Sequence, residues 1–210
     1  MSMMGFRDGV LNAKAVGLTQ KRFKMDSYPY VLSSATALKV AVSVAATTSF
    51  VLGTQTQVPR AVKVINAMGA TAERAMNLVI KGYNGEGNYA EETLTLSTGT
   101  TGRTAGNVAF AYVTSVVPAV GTKGYGTYGT VGIYPLDKFG LTERCEGQGD
   151  VVEVSAWGGT AGAVYTGTTS LVTSTTFSPT YNTVDLTAFA PAGSTLGIKY
   201  LSKFQRKDSM

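Results

Sequence analysis

An all-β, antiparallel sandwich, jelly-roll-like or Greek key, with an extended N-terminal arm is the architecture this sequence predicts. Apolar residues recur at a period of two along much of the chain, and no sustained helical period competes with them. Runs of strand length are separated by turn-forming residues at roughly dozen-residue spacing, the mark of a sandwich or barrel. The composition holds 25 glycines and only 15% charged residues, which suits a many-turned sheet partly covered by neighbours and does not suit disorder. Strand–helix alternation is missing, which argues against Rossmann and TIM architectures.

Taken in order, residues 1–30 read as the arm. They are basic, Met-rich and punctuated by glycine, and they end at Tyr28-Pro29-Tyr30. A short helix near Asp8 to Val16 would stop at Gly17. Residues 31–210 read as one β-sandwich domain. Val40, Val42 and Val44 alternate with Ala41 and Ser43, and Phe50-Val51-Leu52 runs into Gly53. Pro59 introduces a strand from Arg60 to Asn66, and Ala67 to Arg74 reads as a connection. Met76 to Val117 reads as a β-meander. Its first run places Met76, Leu78 and Ile80 opposite Asn77 and Lys81. A break at Gly82 to Gly87 leads to a second run, Glu91 to Leu96, joined as a hairpin. The third run places Val108, Phe110, Tyr112 and Val116 on one face. Thr127 to Leu136 is the next strand, followed by a break at Phe139-Gly140-Leu141. Asp150 to Trp157 alternates strongly, and the short runs Val164-Tyr165, Leu171 to Phe177, Thr183 to Leu186 and Thr195 to Leu201 complete the set.

The composition also excludes chemistry. There is no histidine, so imidazole-activated nucleophiles and imidazole metal ligands are absent. One cysteine, Cys145, forms no internal disulfide and no Cys-based metal site. It fits a reducing cytoplasm and reads as an ordinary loop thiol. Gly124-Tyr125-Gly126-Thr127-Tyr128-Gly129 has the spacing of a dinucleotide loop, but TVGIYPL follows it where a helix is needed. Its tyrosines, Tyr125 and Tyr128, suit a protein contact instead. Glu143, Glu146, Asp150 and Glu153 fit no EF-hand and read as a solvated acidic loop. Glu91 and Glu92 are adjacent in a strand and point to opposite faces, so they do not form a glycosidase pair. Trp157 reads as core filling. No cofactor, metal site or enzymatic activity is expected.

Net charge is +5, from 18 Lys and Arg against 13 Asp and Glu. Much of it lies at the ends, in Arg7, Lys14, Lys21, Arg22 and Lys24 and again in Lys199, Lys203, Arg206 and Lys207. Such ends bind nucleic acid or an acidic protein, or simply solubilise the chain. Met1 to Val10 carries Arg7 and Asp8 in place of an apolar core, so no signal peptide is expected. Leu38 to Leu52 is too short for a bilayer span and contains Thr47, Thr48 and Ser49, so a soluble protein is expected.

Several ordered pieces resemble the capsid decoration (cement or auxiliary) proteins of tailed bacteriophages. Val58-Pro59-Arg60-Ala61-Val62-Lys63-Val64 resembles the strand "PR-x-V-x-V" that opens those domains. Leu78 to Gly85 followed by Ala90 to Leu96 resembles the hairpin "V-x-G-x-N-x-G…E-x-L-x-L". Phe110 to Val117, Phe139-Gly140-Leu141, Thr183-Val184-Asp185 and Ile198-Lys199-Tyr200 resemble the strands that follow. The resemblance covers residues 58–202 and leaves the arm outside it. It implies a non-enzymatic structural protein on the outer surface of the virion head, made in the host cytoplasm. The implied partner is the major capsid protein, with a homotrimer as the oligomer and no membrane or specific nucleic acid. Candidate contact residues are Arg7, Lys14, Lys21, Arg22, Lys24, Tyr28 and Tyr30 of the arm, with Tyr125 and Tyr128 of the loop. Two alternatives stand: a tail or fibre carbohydrate-binding module using Tyr125, Tyr128 and Tyr165, and a tail-tube or head–tail connector subunit. On this reading, removing residues 1–28 leaves the β domain folded and weakens assembly.

Overall fold

The computed structural model describes residues 21–29, 31, 33–43, 49–67, 77–96, 102–119, 130–157, 176–186 and 195–203. The strands are β1 (Lys21–Tyr28), β2 (Lys39–Ser43), β3 (Arg60–Ala67), β4 (Asn77–Asn84), β5 (Tyr89–Thr95), β6 (Gly102–Ala105), β7 (Phe110–Ala119), β8 (Thr130–Gly140), β9 (Val151–Trp157), β10 (Thr176–Ser178), β11 (Thr183–Asp185) and β12 (Thr195–Lys203). The only helical element among the described residues is a 3-10 turn at Gln148–Asp150. All pairings are antiparallel. The all-β, antiparallel architecture is therefore as the sequence predicts.

A larger sheet runs β10-β11-β8-β3-β7-β4-β5, with β2 added on β8 and β6 on β3; a smaller sheet runs β1-β12-β9. Two apolar cores follow from this division. In the first, the inward residues Val62, Val64, Leu78, Ile80, Leu94, Phe110, Val113, Val116, Val131 and Ile133 pack together. The second gathers Phe139, Val151, Val154, Val184, Leu196, Ile198 and Tyr200 between the smaller sheet and the end of β8.

Four local departures have physical causes. First, residues 21–28 are no arm. They pair with β12 along their whole length, from Lys21 opposite Lys203 to Tyr28 opposite Leu196. Second, Met76 to Val117 is not a meander, because β7 pairs with β4 and not with β5. Third, the expected breaks are shorter: β4 runs through Gly82 to Asn84, and β8 continues to Gly140. Fourth, β7 carries two bulges. Lys81 faces Ser115 but Gly82 faces Val113, and Tyr83 faces Tyr112 but Asn84 faces Phe110, so Thr114 and Ala111 are extra residues. Buried positions in β7 consequently fall at Phe110, Val113 and Val116, three apart, before the period of two resumes at Pro118, and Tyr112 turns outward. The bulged strand presses close: a Cβ on Gly82 would lie 2.1 Å from the Tyr112 carbonyl oxygen.

Beyond Arg60, β7 parts from β3, the two being paired only at Arg60 and Phe110. The segment before β3 covers the exposed edge of β7. Phe50 exchanges two backbone hydrogen bonds with Val116 at 3.0 and 2.8 Å. The Gln55 side chain imitates a strand, donating to the Val113 carbonyl and accepting from its N–H at 3.1 and 2.9 Å. Thr56 Oγ1 donates to the Phe110 carbonyl at 2.9 Å.

Arg60 lies fully buried at this fork. Its Nη2 is 2.6 Å from Asp137 Oδ1, its Nε donates to the Leu136 carbonyl at 2.7 Å, and its guanidinium sits 4.8 Å from the Phe139 ring centroid. Burial lowers the guanidinium to about 10 and raises the Asp137 carboxyl, in each case against the pull of the partner. Both groups shift toward neutrality, so the pair offsets a desolvation cost and adds little net stability of its own. Removing one partner is a different matter, since it strands the other charge. Asp137→Ala is expected to cost about 3–5 kcal/mol in urea unfolding, while Arg60→Met with Asp137→Leu should cost far less than the sum of the single changes.

Candidate interaction surfaces

The candidate contact residues in β1 are engaged within the chain. Asp26 and Tyr28 point inward and are buried. Asp26 accepts three hydrogen bonds, from Thr142 N at 2.8 Å, Thr142 Oγ1 at 2.6 Å and Tyr200 OH at 3.0 Å, and lies 3.2 Å from Tyr28 OH. Tyr28 OH is nearer the Gly140 carbonyl, at 2.6 Å, and its single proton is best placed there. Burial and the Asp26 carboxylate hold the Tyr28 phenol well above its usual value. Tyr28 is therefore a core residue that fixes β1 to the end of β8, and it makes no outward contact.

The basic residues of β1 meet the acidic loop. Lys21 Nζ reaches Asp150 Oδ1 at 2.7 Å and Glu146 at 3.5 Å; Arg22 makes a two-point pair with Glu143; Lys24 lies 3.4 Å from the same carboxylate. Lys203 adds a contact to Glu146 at 3.2 Å, and Lys199 pairs with Glu153 at 2.7 Å. The loop expected to be solvated is thus the partner of the charges expected to face outward. Among the described residues no cluster of three or more His, Cys, Asp or Glu is placed to hold a metal ion. Cys145 is buried, and burial pushes its thiol up to about 11, which leaves it protonated and unreactive. Arg7, Lys14, Tyr30, Tyr125 and Tyr128 lie outside the described residues, as does Tyr165. Trp157 ends β9 opposite Thr195.

Two exposed features remain. On the outward face of β1, Phe23 and Met25 are 53% and 45% exposed, with half-buried Leu201 directly opposite Phe23. Among the described strands, only β12 pairs with β1, along one of its two edges.

The second feature is a row of tyrosines across β5, β4 and β7. Tyr83 stands opposite both Tyr89 and Tyr112, and the three are 46%, 56% and 52% exposed. The rings of Tyr83 and Tyr89 meet edge to face at 6.0 Å. In the next row Lys81 stands opposite Glu91 and pairs with it at 3.1 Å, while Tyr89 OH donates to the Glu91 carboxylate. These donors hold the Glu91 carboxyl below its usual value, and the same hydrogen bond raises the Tyr89 phenol. The adjoining turn is stiff. Asn84 Oδ1 accepts from the backbone of Glu86 and Asn88, and Glu86 Oε1 accepts from Asn182 Nδ2 at 2.7 Å. This row is missed in the sequence because the Ala111 bulge hides Tyr112.

As expected, Glu91 and Glu92 face opposite ways. Glu92 points inward beside a groove of about 500 Å³ between β5 and β6, lined also by Thr93, Thr104, Asn107 and Tyr181. Its carboxylate accepts from Asn107 N at 2.6 Å and Val108 N at 3.2 Å, tying β5 to the connection between β6 and β7. Burial raises its carboxyl despite those donors. No nucleophile–base pair is seen in the groove.

Two outcomes are expected. Deleting residues 1–28 removes Asp26 and Tyr28 and bares β12, so loss of soluble folded protein is expected, measured by expression yield and circular dichroism; this reverses the expectation drawn from an arm. The second concerns acid. Burial opposes ionisation of Glu143, but Arg22 and Lys24 outweigh it and hold the carboxyl below its ordinary 4.5. A depressed folded value gives stability that is present above the unfolded value and lost as pH falls through the folded one. Melting temperature should therefore fall as the pH drops below the ordinary 4.5 of the carboxyl, with a shallower fall in Glu143→Gln.

No described helix is long and apolar enough to cross a membrane. Comparison of the chain with protein-family models, with curated proteins and with solved structures finds no match.

Proposed function

We propose that the protein is a structural component of a tailed-phage virion, a decoration protein that binds the outer surface of the head and bridges major-capsid subunits as a homotrimer. The observation that carries this reading is the outward face of β1. Phe23 and Met25 stand half exposed on a strand that is outermost in its sheet among the described residues. Soluble monomers blunt or cover such edges, because an open apolar strand invites pairing with another chain. Lys21, Arg22 and Lys24 are held by carboxylates of the neighbouring loop, so β1 is already ordered before it meets a partner. Preorganisation of this kind lowers the entropy cost of binding. A protein that binds only the assembled shell stabilises it by mass action, and repetition over a lattice adds avidity to a modest contact. A non-catalytic role is in keeping with the buried cysteine and with Glu143, Glu146, Asp150 and Glu153 being engaged in ion pairs.

Mixing the protein with expanded, undecorated heads should give stoichiometric binding. Phe23→Ser combined with Met25→Ser should weaken that binding at least about tenfold with little change in melting temperature, since both side chains are exposed. Failure of the wild-type protein to bind heads, or unchanged binding by the double variant, would sink this reading.

A further inference from the structure

The tyrosine row is a second surface, and its construction calls for an explanation. β7 departs from regular pairing twice within a few residues, and the bulge at Ala111 is what turns Tyr112 outward beside Tyr83. Bulges commonly serve to re-aim a side chain. Gly82 completes the arrangement, since any side chain there would collide with the Tyr112 carbonyl oxygen. Three large rings are thus brought side by side on an uncovered face and supported from beneath by closely packed backbone.

Charge narrows the ligand. The charged residues of β4, β5 and β7 are Lys81, Glu91 and Glu92 alone. Lys81 is neutralised by Glu91, so no free cation of these strands faces a phosphate and a nucleic acid is not favoured. Area narrows it further. These strands separate from β3 after a single paired position, leaving a leaf three strands wide with a face on the order of 400 Å². That is about half of what each partner contributes to a stable protein interface.

We propose that the row Tyr89–Tyr83–Tyr112 is a platform for a neutral carbohydrate chain. A pyranose ring has an apolar face of C–H groups and a rim of hydroxyls. The half-exposed tyrosine rings, two of them edge to face, offer apolar surface with a hydroxyl at one end. Glu91, already held in place by Tyr89 and Lys81, keeps acceptor positions free for sugar hydroxyls. The three tyrosines stand on adjacent strands, about one strand spacing apart, so successive sugars of a chain can meet successive tyrosines.

The test is binding of the full-length protein to an array of neutral and acidic oligosaccharides, followed by calorimetric titration of the best neutral binder. Neutral oligosaccharides should bind with little dependence on salt. Affinity should fall about tenfold or more in Tyr83→Ser and in Tyr112→Ser and stay unchanged in Phe23→Ser, whose exposed ring lies in the smaller sheet. Should a row variant fail to fold, fluorotyrosine NMR of the wild-type protein decides the matter: the resonances of Tyr83, Tyr89 and Tyr112 should shift on adding the sugar while that of buried Tyr200 stays. Binding of acidic sugars alone with strong salt dependence, affinity indifferent to the row variants, or no binding at about 1 mM sugar overturns the proposal. The head-binding assay is independent: row variants that bind no sugar and also lose heads overturn it and make the row a capsid contact.

Discussion

The fold divides at Arg60. This residue stands opposite Phe110 in one strand and Phe139 in another, and those rings belong to different cores. An ordinary apolar residue here would merge the two. A buried guanidinium instead demands partners at fixed positions, and it finds them in the Asp137 carboxylate and the Leu136 carbonyl of β8. Because both charges are driven toward neutrality by burial, the pair contributes less to stability than to placement. It anchors the first residue of β3 against β8 at the point where β7 begins to leave, and the two leaves of the larger sheet diverge from there.

The strands most legible in the sequence are those whose inward residues are aliphatic. Val62 and Val64, Leu78 and Ile80, and Val154 with Ile198 announce β3, β4, β9 and β12 through simple alternation. β1 alternates just as strictly, but its inward residues are Asp26 and Tyr28, which a hydrophobic pattern does not register. Their burial depends on Thr142 and Tyr200, more than a hundred residues away. The bulges of β7 were hidden for another reason. They preserve the apolar count and change only its phase, so Tyr112 reads as a partner of Phe110 while it lies on the opposite face. Strand neighbours were hidden as well, since hairpin chemistry specifies that β4 meets β5 but not that β7 returns to the far side of β4.

Two readings of charge corrected each other. The basic residues at 21–24 looked free for a partner and the carboxylates at 143–150 looked solvated, and each is the other's partner across the sequence. The exchange ties down within the chain the charges that sequence reasoning had placed in an extended arm. It also stiffens the strand that carries Phe23 and Met25, because the side chains flanking them are tethered from below.

What is left exposed differs in kind between the two sheets, and the difference bears on what each can hold. Phe23 and Met25 present apolar surface without hydrogen-bonding groups, and the unbranched thioether of methionine adapts to an irregular neighbour. Such a patch gains by excluding water against another protein. The tyrosines of the other leaf end in hydroxyls beside an ion pair that stays in solvent, and desolvating that row would forfeit hydrogen bonds that a dry interface does not return. A ligand that brings its own hydroxyls replaces them. The two surfaces lie in separate sheets, so occupation of one leaves the other available.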